Sequence, residues 1–339
     1  MTTYYRPLAQ FDAVRPEEAV PLAGGWCWFD RVEVLERGRA AEVITAAEVP
    51  GDVLARLTAD RAPMAGLSFD APRLMGILNV TPDSFSDGGQ FAALGAAVDH
   101  ARDMAAQGID LIDVGGESTR PGAVEVAVAE ETARTAPVIA AIREAGITTL
   151  ISIDTRKAPV AVAAAEAGAG IVNDVSAGLF DPAMLGEVAR LGLPLCLMHA
   201  QGGPEVMQDD PRYGDVLLDV YDHLATRIAA AEAAGIARAR IMVDPGIGFG
   251  KTLAHNLALL RGLSLFHGLG CPILLGVSRK RFIGAISGAA EAGERMPGSV
   301  SVMQYGLGQG VQVVRVHDTL ASKQAVALWQ ALVQGWEQD

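Results

Sequence analysis

The chain has 339 residues, half of them hydrophobic, and a formal net charge of −13 at pH 7. That length suffices for one large or two ordinary globular domains, and the acidic charge argues against binding to nucleic acid or anionic membranes, which need a basic surface. No apolar run approaches the roughly 20 residues of a membrane span, and the N-terminal residues lack the regions of a signal peptide. These features predict a soluble, cytoplasmic protein that holds any anionic substrate with a local cluster of cations.

The three cysteines, Cys27, Cys196 and Cys271, are odd in number, far apart and surrounded by hydrophobic residues. This usage favours reduced core thiols over disulfides. Cys196 and His199 look like a pair of metal ligands, but an offset of three residues on a strand directs two side chains to opposite faces. We therefore predict no zinc site.

Residues 1–70 differ in pattern from the rest of the chain. The stretch GGWCWFDRVEVLERGRAAEVITAAE (24–48) holds two short runs of alternating polarity, and PGDVLARLTADRAP (50–63) has the pattern of a short helix. We predict an appended segment with a few strands and no assigned chemistry at 1–70, followed by a catalytic domain at 71–339.

From residue 74 onward, short apolar runs typical of buried strands alternate with longer, often Ala-rich runs typical of helices. Strands alternating with helices form a parallel sheet, and eight such units in about 260 residues predict a (β/α)8 TIM barrel. The alternative is a doubly wound open sheet, which usually carries a Gly-rich dinucleotide turn after its first strand; none is present. The predicted strands are 74–80, 110–116, 149–155, 171–176, 194–200, 241–247, 272–278 and 311–318. The predicted helices are 93–106, 129–145, 159–168, 182–191, 214–234, 254–263, 299–308 and 320–336.

Every predicted strand ends in polar side chains, and in a (β/α)8 barrel those ends meet at one mouth, where active sites lie. Taken singly, each side chain has a simpler explanation: Asn79 could bond its own turn, and Asp154 could cap the next helix. Eight such strand ends at one rim favour a site. The residues are Asn79, Asp113, Asp154, Asn173 with Asp174, His199, Asp244, Ser278, and Arg315 with His317.

The residue types in this set indicate two kinds of ligand group. Asp154 and Asp244 can accept two N–H bonds from an amidine-like edge of a heterocycle, and Asn173 can donate and accept. Arg315, His317 and the amide oxygen of Asn79 fit a phosphate or pyrophosphate with Mg²⁺.

The run GIGFGKT (246–252) resembles nucleotide-binding loops in part. Pro245 stands where the phosphate-binding loop needs a glycine, and Lys251 stands where the dinucleotide pattern needs one. Neither nucleotide motif is present.

Eight motifs in the order of the chain resemble those of the dihydropteroate synthase family, over about residues 74–318. The resemblance implies a transferase of folate biosynthesis that condenses 6-hydroxymethyl-7,8-dihydropterin pyrophosphate with p-aminobenzoate to give 7,8-dihydropteroate and pyrophosphate. The motifs are GILNVTPDSFSDGG, IDVGGESTRPGA, ISIDTRK, VNDVSAG, LMHAQGGP, DPGIGFGK, GVSRKRFIG and VRVHD.

The resemblance also implies site residues. The catalytic positions correspond to Asn79, Asp87, Arg120, Lys280, Arg315 and His317. The pterin-binding positions correspond to Asp154, Asn173, Met198, Asp244, Phe249 and Lys280. The pyrophosphate positions correspond to Asn79, Asp113, Arg315 and His317, with Mg²⁺ on Asn79. The p-aminobenzoate site, built partly on loops 81–89 and 117–122, corresponds to Phe85, Thr119, Arg120, Pro121 and Ser278, with Asp87 in the first loop.

Two other functions share parts of this pattern. A pterin-binding methyltransferase domain shares the barrel and its pterin-reading residues but needs neither STRPG nor Arg-x-His, and both are present. A non-catalytic paralogue is expected to have lost residues such as Asn79 or Arg120, and both remain. The family resemblance further implies a homodimer, and the ESTRPGA segment without insertions predicts sensitivity to sulfonamides. Arg281, at a predicted helix start, is either a surface side chain or a contact to the aminobenzoate carboxylate.

Overall fold

The computed structural model describes residues 2–80, 89–118, 123–202 and 210–335. The N-terminal part contains two small antiparallel sheets, one of order β1-β4-β5 and one formed by β2 and β3. The predicted strands and the predicted short helix of this part are present. They are β1 (Thr3–Pro7), β2 (Val20–Pro21), β3 (Trp28–Phe29), β4 (Arg31–Glu36), β5 (Glu42–Thr45) and α1 (Gly51–Thr58).

Eight parallel strands follow, in the spatial order β11-β10-β9-β8-β7-β6-β13-β12, and a parallel bridge between Val243 and Ile273 joins the two ends of this sheet. The predicted TIM barrel is thus confirmed, and the open doubly wound sheet is wrong because its two edges would not meet. The strands are β6 (Arg73–Asn79), β7 (Leu111–Gly115), β8 (Leu150–Asp154), β9 (Ile171–Asp174), β10 (Leu195–Met198), β11 (Ile241–Asp244), β12 (Leu274–Gly276) and β13 (Val313–Val316).

Helices alternate with these strands. The predicted helix 299–308 in fact begins at Met296, because a proline in the first turn is compatible with a helix start. None of the helices in the described ranges is long and apolar enough to cross a membrane. The helices are α2 (Gly89–Ala106), α3 (Val128–Glu144), α4 (Ala158–Ala167), α5 (Met184–Leu191), α6 (Val216–Ala233), α7 (Leu253–Arg261), α8 (Arg281–Ser287), α9 (Met296–Gly308) and α10 (Thr319–Gln334).

Side chains alternate between the barrel interior and the helix layer, as the period of a strand requires. Cys196 belongs to a hydrophobic cluster inside the barrel, whereas the ring of His199 packs against His223 of α6 on the other face of the strand. The spacing of Cys196 and His199 predicted these opposite faces. Hydrophobic side chains fill the end of the barrel at which the strands begin, so the other end is left for polar groups. The cluster is Met64, Phe69, Met75, Leu111, Ile171, Cys196, Met242, Leu274 and Val313.

The N-terminal part is attached to the barrel by hydrogen bonds as well as by apolar packing. Tyr4 donates to Asp222 of α6 at 2.8 Å, Ser264 donates to the carbonyl of Pro7 at 2.7 Å, and the indole of Trp26 donates to the carbonyl of Leu307 at 2.8 Å. Met64 and Phe69 lie inside the barrel itself. The division of the chain at residue 70 stays a prediction.

Candidate active site

The carboxyl ends of neighbouring strands place four residues side by side. Asn79 pairs in register with Gly115, and Asp154 pairs with Gly115 on one side and with Asn173 on the other. A Cβ added to Gly115 would lie 3.7 Å from both Asn79 Oδ1 and Asp154 Oδ2. The glycine therefore leaves the amide of Asn79 and the carboxylate of Asp154 with no side chain between them at the mouth of the barrel.

Arg315 joins two carboxylates at the centre of this mouth. Its Nε donates to Asp113 Oδ2 at 2.6 Å, and its Nη2 donates to Asp154 Oδ2 at 2.7 Å. Asn173 donates to the same Asp113 oxygen at 3.1 Å. One guanidinium thus serves two carboxylates, and the group carries an excess negative charge when both are ionised.

This charge imbalance shapes the protonation of the group. Burial raises the pKa of Asp154 to about 7; Arg315 opposes the rise, and the charge of Asp113 adds to it. Burial lowers the pKa of Arg315, but the two carboxylates outweigh burial and raise it overall. Asp113 Oδ1 and Asp154 Oδ1 are buried and accept no hydrogen bond within the described residues. Buried acceptors of this kind fit the N–H groups of a bound ligand.

A second polar group lies at the end of β11. Asp244 accepts a hydrogen bond from the N–H of Gly246 at 2.7 Å, and burial raises its pKa to about 6. Lys280 stands with its Nζ 4.1 Å from the ring centroid of Phe249, and burial lowers its pKa to about 8, with Asp244 opposing. A flat ligand that reaches Asp244 therefore meets a carboxylate, an ammonium and an aromatic ring.

A family model described as a pterin-binding enzyme matches residues 75–317. The chain is 45% identical over 271 residues to the dihydropteroate synthase of Escherichia coli K12, covering 80% of this chain and 95% of that protein. The chain belongs to the dihydropteroate synthase family. Among solved structures, it resembles Xanthomonas albilineans dihydropteroate synthase with 4-aminobenzoic acid, at a TM-score of 0.75 and 46% identity over 82% of this chain and 99% of that one. It also resembles the Yersinia pestis dihydropteroate synthase with a sulfonamide drug complex, at a TM-score of 0.74 and 44% identity, covering 79% of this chain and 97% of that one.

The described positions that correspond to family site residues gather at one mouth. Met198 pairs in register with Asp244 at the ends of β10 and β11. Ser278 accepts from the N–H of His317 at 3.1 Å, and its hydroxyl lies 3.0 Å from His317 Nδ1. Arg281 is the exposed first residue of α8. The remaining predicted positions, Phe85, Asp87, Thr119, Arg120 and Pro121, lie outside the described residues.

Two of the polar strand-end residues, Asp174 and His199, do not face the mouth of this dihydropteroate synthase. For Asp154, the simpler explanation as a helix cap is wrong. Asp154 does not cap α4, because the N–H of Ala158 donates to Asp181 instead. Asp174 accepts from the N–H groups of Ser176 and Gly178 and stabilises a turn. His199 faces α6, so its predicted place among the mouth residues is wrong: it follows Met198, and adjacent strand residues point to opposite faces.

Two groups of buried charges escaped the prediction from sequence. Glu117 accepts from Arg156 at 2.8 Å and from Lys157 at 2.7 Å, and Lys157 also donates to Glu131 at 2.6 Å. The other is Lys251, which lies in the run GIGFGKT (246–252) that matches neither nucleotide-binding motif. The available signal was the position of these charges inside apolar family motifs, since charged side chains are rarely buried without partners.

Proposed function

We propose that the chain condenses 6-hydroxymethyl-7,8-dihydropterin pyrophosphate with p-aminobenzoate, forming 7,8-dihydropteroate and pyrophosphate in folate biosynthesis. Membership of the dihydropteroate synthase family supports the reaction as a whole. The observation that carries it to this site is the Asp113–Arg315–Asp154 group, in which one buried oxygen of each carboxylate, beside the guanidinium, accepts no hydrogen bond from the described residues. That arrangement suits a ligand with N–H donors at one end and an anion at the other.

The pterin ring is assigned to the Asp244 side of the mouth. The ionised carboxylate of Asp244 accepts N–H bonds from the amidine-like edge of the ring, and the free oxygen of Asp154 accepts a further one. Asn173 is held by its bond to Asp113, which fixes its amide for the same ring. Phe249 and Met198 supply the apolar contacts, and Lys280 donates to a ring acceptor. In this arrangement the polar side chains bind the edge of the heterocycle, and Phe249 and Met198 contact its face.

The pyrophosphate is assigned to Arg315, His317 and Asn79. Asp113 Oδ2 accepts a hydrogen bond from Arg315 Nε at 2.6 Å, so the role assigned to Asp113 is to orient the guanidinium. The amide oxygen of Asn79 is a hard ligand at the open rim beside Gly115, and Mg²⁺ commonly uses one or two protein oxygens together with phosphate oxygens and water. The residues present fit this ion on Asn79. When bound, Mg²⁺ would neutralise charge on the departing pyrophosphate.

The reaction depends more on stabilising the negative charge of the departing pyrophosphate than on a strong base. The bond between the pterin methylene carbon and the pyrophosphate oxygen breaks, and its electron pair leaves with pyrophosphate toward Arg315 and His317. The lone pair of the aminobenzoate nitrogen forms the new C–N bond, and that nitrogen then passes a proton to water or to the departing pyrophosphate. Phe85, Thr119, Arg120, Pro121 and Ser278 are assigned to the aminobenzoate site, with Asp87 alongside. No side chain has to act as a covalent nucleophile.

A pyrophosphate-release assay tests this proposal. Release is expected to require both the pterin pyrophosphate and p-aminobenzoate, to match dihydropteroate formation one to one, and to stop when EDTA removes Mg²⁺. A sulfonamide is expected to compete with p-aminobenzoate, as the likeness to a relative solved with such a drug suggests. Activity independent of Mg²⁺ would contradict the metal assignment, whereas the absence of dihydropteroate would contradict the reaction.

A homodimer is proposed as the assembled form. Four apolar side chains of α9 and α10, Tyr305, Leu320, Leu328 and Leu332, are between 46% and 86% exposed, which fits a face covered by a second copy. Light scattering is expected to give twice the mass of one chain, and Leu328→Glu is expected to give the mass of one. A wild type of single-chain mass at micromolar concentration would contradict the dimer.

A cytoplasmic location is also proposed, because Cys27, Cys196 and Cys271 are free and buried thiols, as expected in a reducing compartment.

A further inference from the structure

Lys251 is a buried cation that the mechanism above does not use. The residue is 3% exposed, and the hydrogen-bond partners of its Nζ within the described residues are His199 and Phe249. Its Nζ lies 2.9 Å from His199 Nδ1 and donates to the carbonyls of Phe249 at 2.9 Å and His199 at 3.3 Å. The two carbonyls accept from Nζ, and the contact with His199 Nδ1 is a third hydrogen bond whose donor depends on the tautomer of His199. Burial lowers the pKa of Lys251 to about 7, with Asp244 opposing the fall, so a basic group is kept here at a cost to the fold and this arrangement calls for a role.

These bonds connect the end of β10 with the loop that follows β11. The loop passes so close to the residues that follow β10 that a Cβ on Gly246 would lie 1.8 Å from the carbonyl oxygen of His199, and one on Gly250 would lie 2.4 Å from that of Gln201. Both glycines have positive φ, 67° and 62°. The loop therefore follows a path that only glycine allows, and Lys251 fastens it to β10 from its far end.

The fastened loop carries the aromatic contact of the pterin site. Lys251 binds the carbonyl of Phe249, whose ring faces Lys280 at 4.1 Å. The loop begins at Asp244, which is itself bonded to the N–H of Gly246. We infer that Lys251 is a positioning residue, which holds the ring of Phe249 and the ammonium of Lys280 in place against the pterin. This inference rests on the proposed function.

Other contacts keep the loop folded without Lys251. Asn256 accepts from the N–H of Gly248 at 2.7 Å, and Tyr213 donates to the carbonyl of Gly250 at 2.7 Å. The loss of Lys251 is therefore expected to displace Phe249 locally and to leave the barrel folded. Displacement of the ring of Phe249 and the ammonium of Lys280 removes contacts to the bound ring, and contacts of this kind contribute about twofold to thirtyfold in affinity each, which is about 0.5–2 kcal/mol.

Binding of 6-hydroxymethylpterin, measured by calorimetry, tests the inference. Lys251→Met, which keeps an unbranched apolar stem but removes the terminal donors, is expected to raise the Kd about tenfold or more. The KM for the pterin pyrophosphate is expected to rise with it, while the KM for p-aminobenzoate stays within about twofold. Lys251→Arg restores donors and charge and is expected to recover most of the affinity. Lys323→Met on α10 is the matched control and is expected to bind like the wild type.

The outcomes separate this inference from the proposed function. If Lys251→Met binds the pterin like the wild type while Asp244→Asn does not, Lys251 has no positioning role and the pterin site stands. If both variants bind like the wild type, the pterin site itself is misassigned. If Lys251→Met does not fold, Lys251→Gln, which keeps two donors, takes its place: an unchanged Kd in that folded variant contradicts the inference, and a raised Kd supports it.

Discussion

Replacing Arg315 with methionine is expected to slow pyrophosphate release at least about 1,000-fold. The substitution removes the cation assigned to the leaving group and leaves Asp113 and Asp154, both buried, without their shared partner. The free carboxylates repel each other, so Asp154 is expected to take up a proton and to stop accepting from the pterin. Steady-state kinetics with both substrates measure the effect, which is expected mainly in kcat because the charge on pyrophosphate grows as the bond breaks.

Arg73→Met is the control for loss of an arginine from a barrel strand. Arg73 pairs with Asp70 and Asp110 at the end of the barrel where the strands begin, away from the mouth. Turnover by this variant is expected to stay within about twofold of the wild type. A folded Arg315→Met enzyme that keeps more than a tenth of the wild-type turnover would contradict the assignment.

Loss of stability has to be separated from loss of chemistry, since breaking a buried ion pair costs about 3–5 kcal/mol. Adding Asp154→Asn to Arg315→Met removes one of the two uncompensated carboxylates. This double variant is expected to unfold at higher denaturant concentration than Arg315→Met but to remain inactive. Recovery of turnover together with stability would mean that Arg315 serves the fold alone.

Period-two alternation and parallel connectivity were sufficient to predict that the strand ends meet at one mouth, but not that His199 and Asp174 lie outside it. Asn79, Asp154 and Asn173 were placed at that mouth by this argument, and their register agrees: Gly115 of β7 separates Asn79 from Asp154, and Asp154 pairs directly with Asn173. What alternation does not contain is the partner of each side chain. That Arg315 bonds to Asp113 and Asp154 depends on the stagger between strands 202 and 161 residues apart along the chain.

Burial of charge was the second property that local patterns could not supply. The sequence pattern showed only that Lys251 stands where the dinucleotide motif needs a glycine. In the fold, its position one residue after Gly250 places it against the residue that follows β10. Met64 and Phe69 were assigned to the appended segment, yet both side chains fill the start of the barrel. In each case the decisive contact lies on a different element, and such contacts are set by tertiary packing.

Asp244→Asn is expected to weaken 6-hydroxymethylpterin binding at least about 100-fold, because a neutral amide cannot accept two N–H bonds as a carboxylate does. In the wild type, burial raises the pKa of Asp244 to about 6, so affinity is expected to fall as pH drops through that value and the carboxyl becomes protonated. The variant is expected to lose this part of the pH dependence and to keep the part due to Asp154, whose pKa burial also raises. Calorimetric titrations between pH 5 and about 8 measure both effects.

The same substitution is expected to have the opposite effect on stability. Because the folded pKa of Asp244 lies above its ordinary value of 3.8, the wild type binds this proton more tightly when folded, and its stability falls as pH rises through about 6. Asp244→Asn removes the buried charge, so its free energy of unfolding at pH 8 is expected to equal or exceed that of the wild type. Urea unfolding at pH 5 and pH 8 checks this sign. A variant that loses pterin affinity while gaining stability would show that the carboxylate is kept for binding, at the expense of the fold.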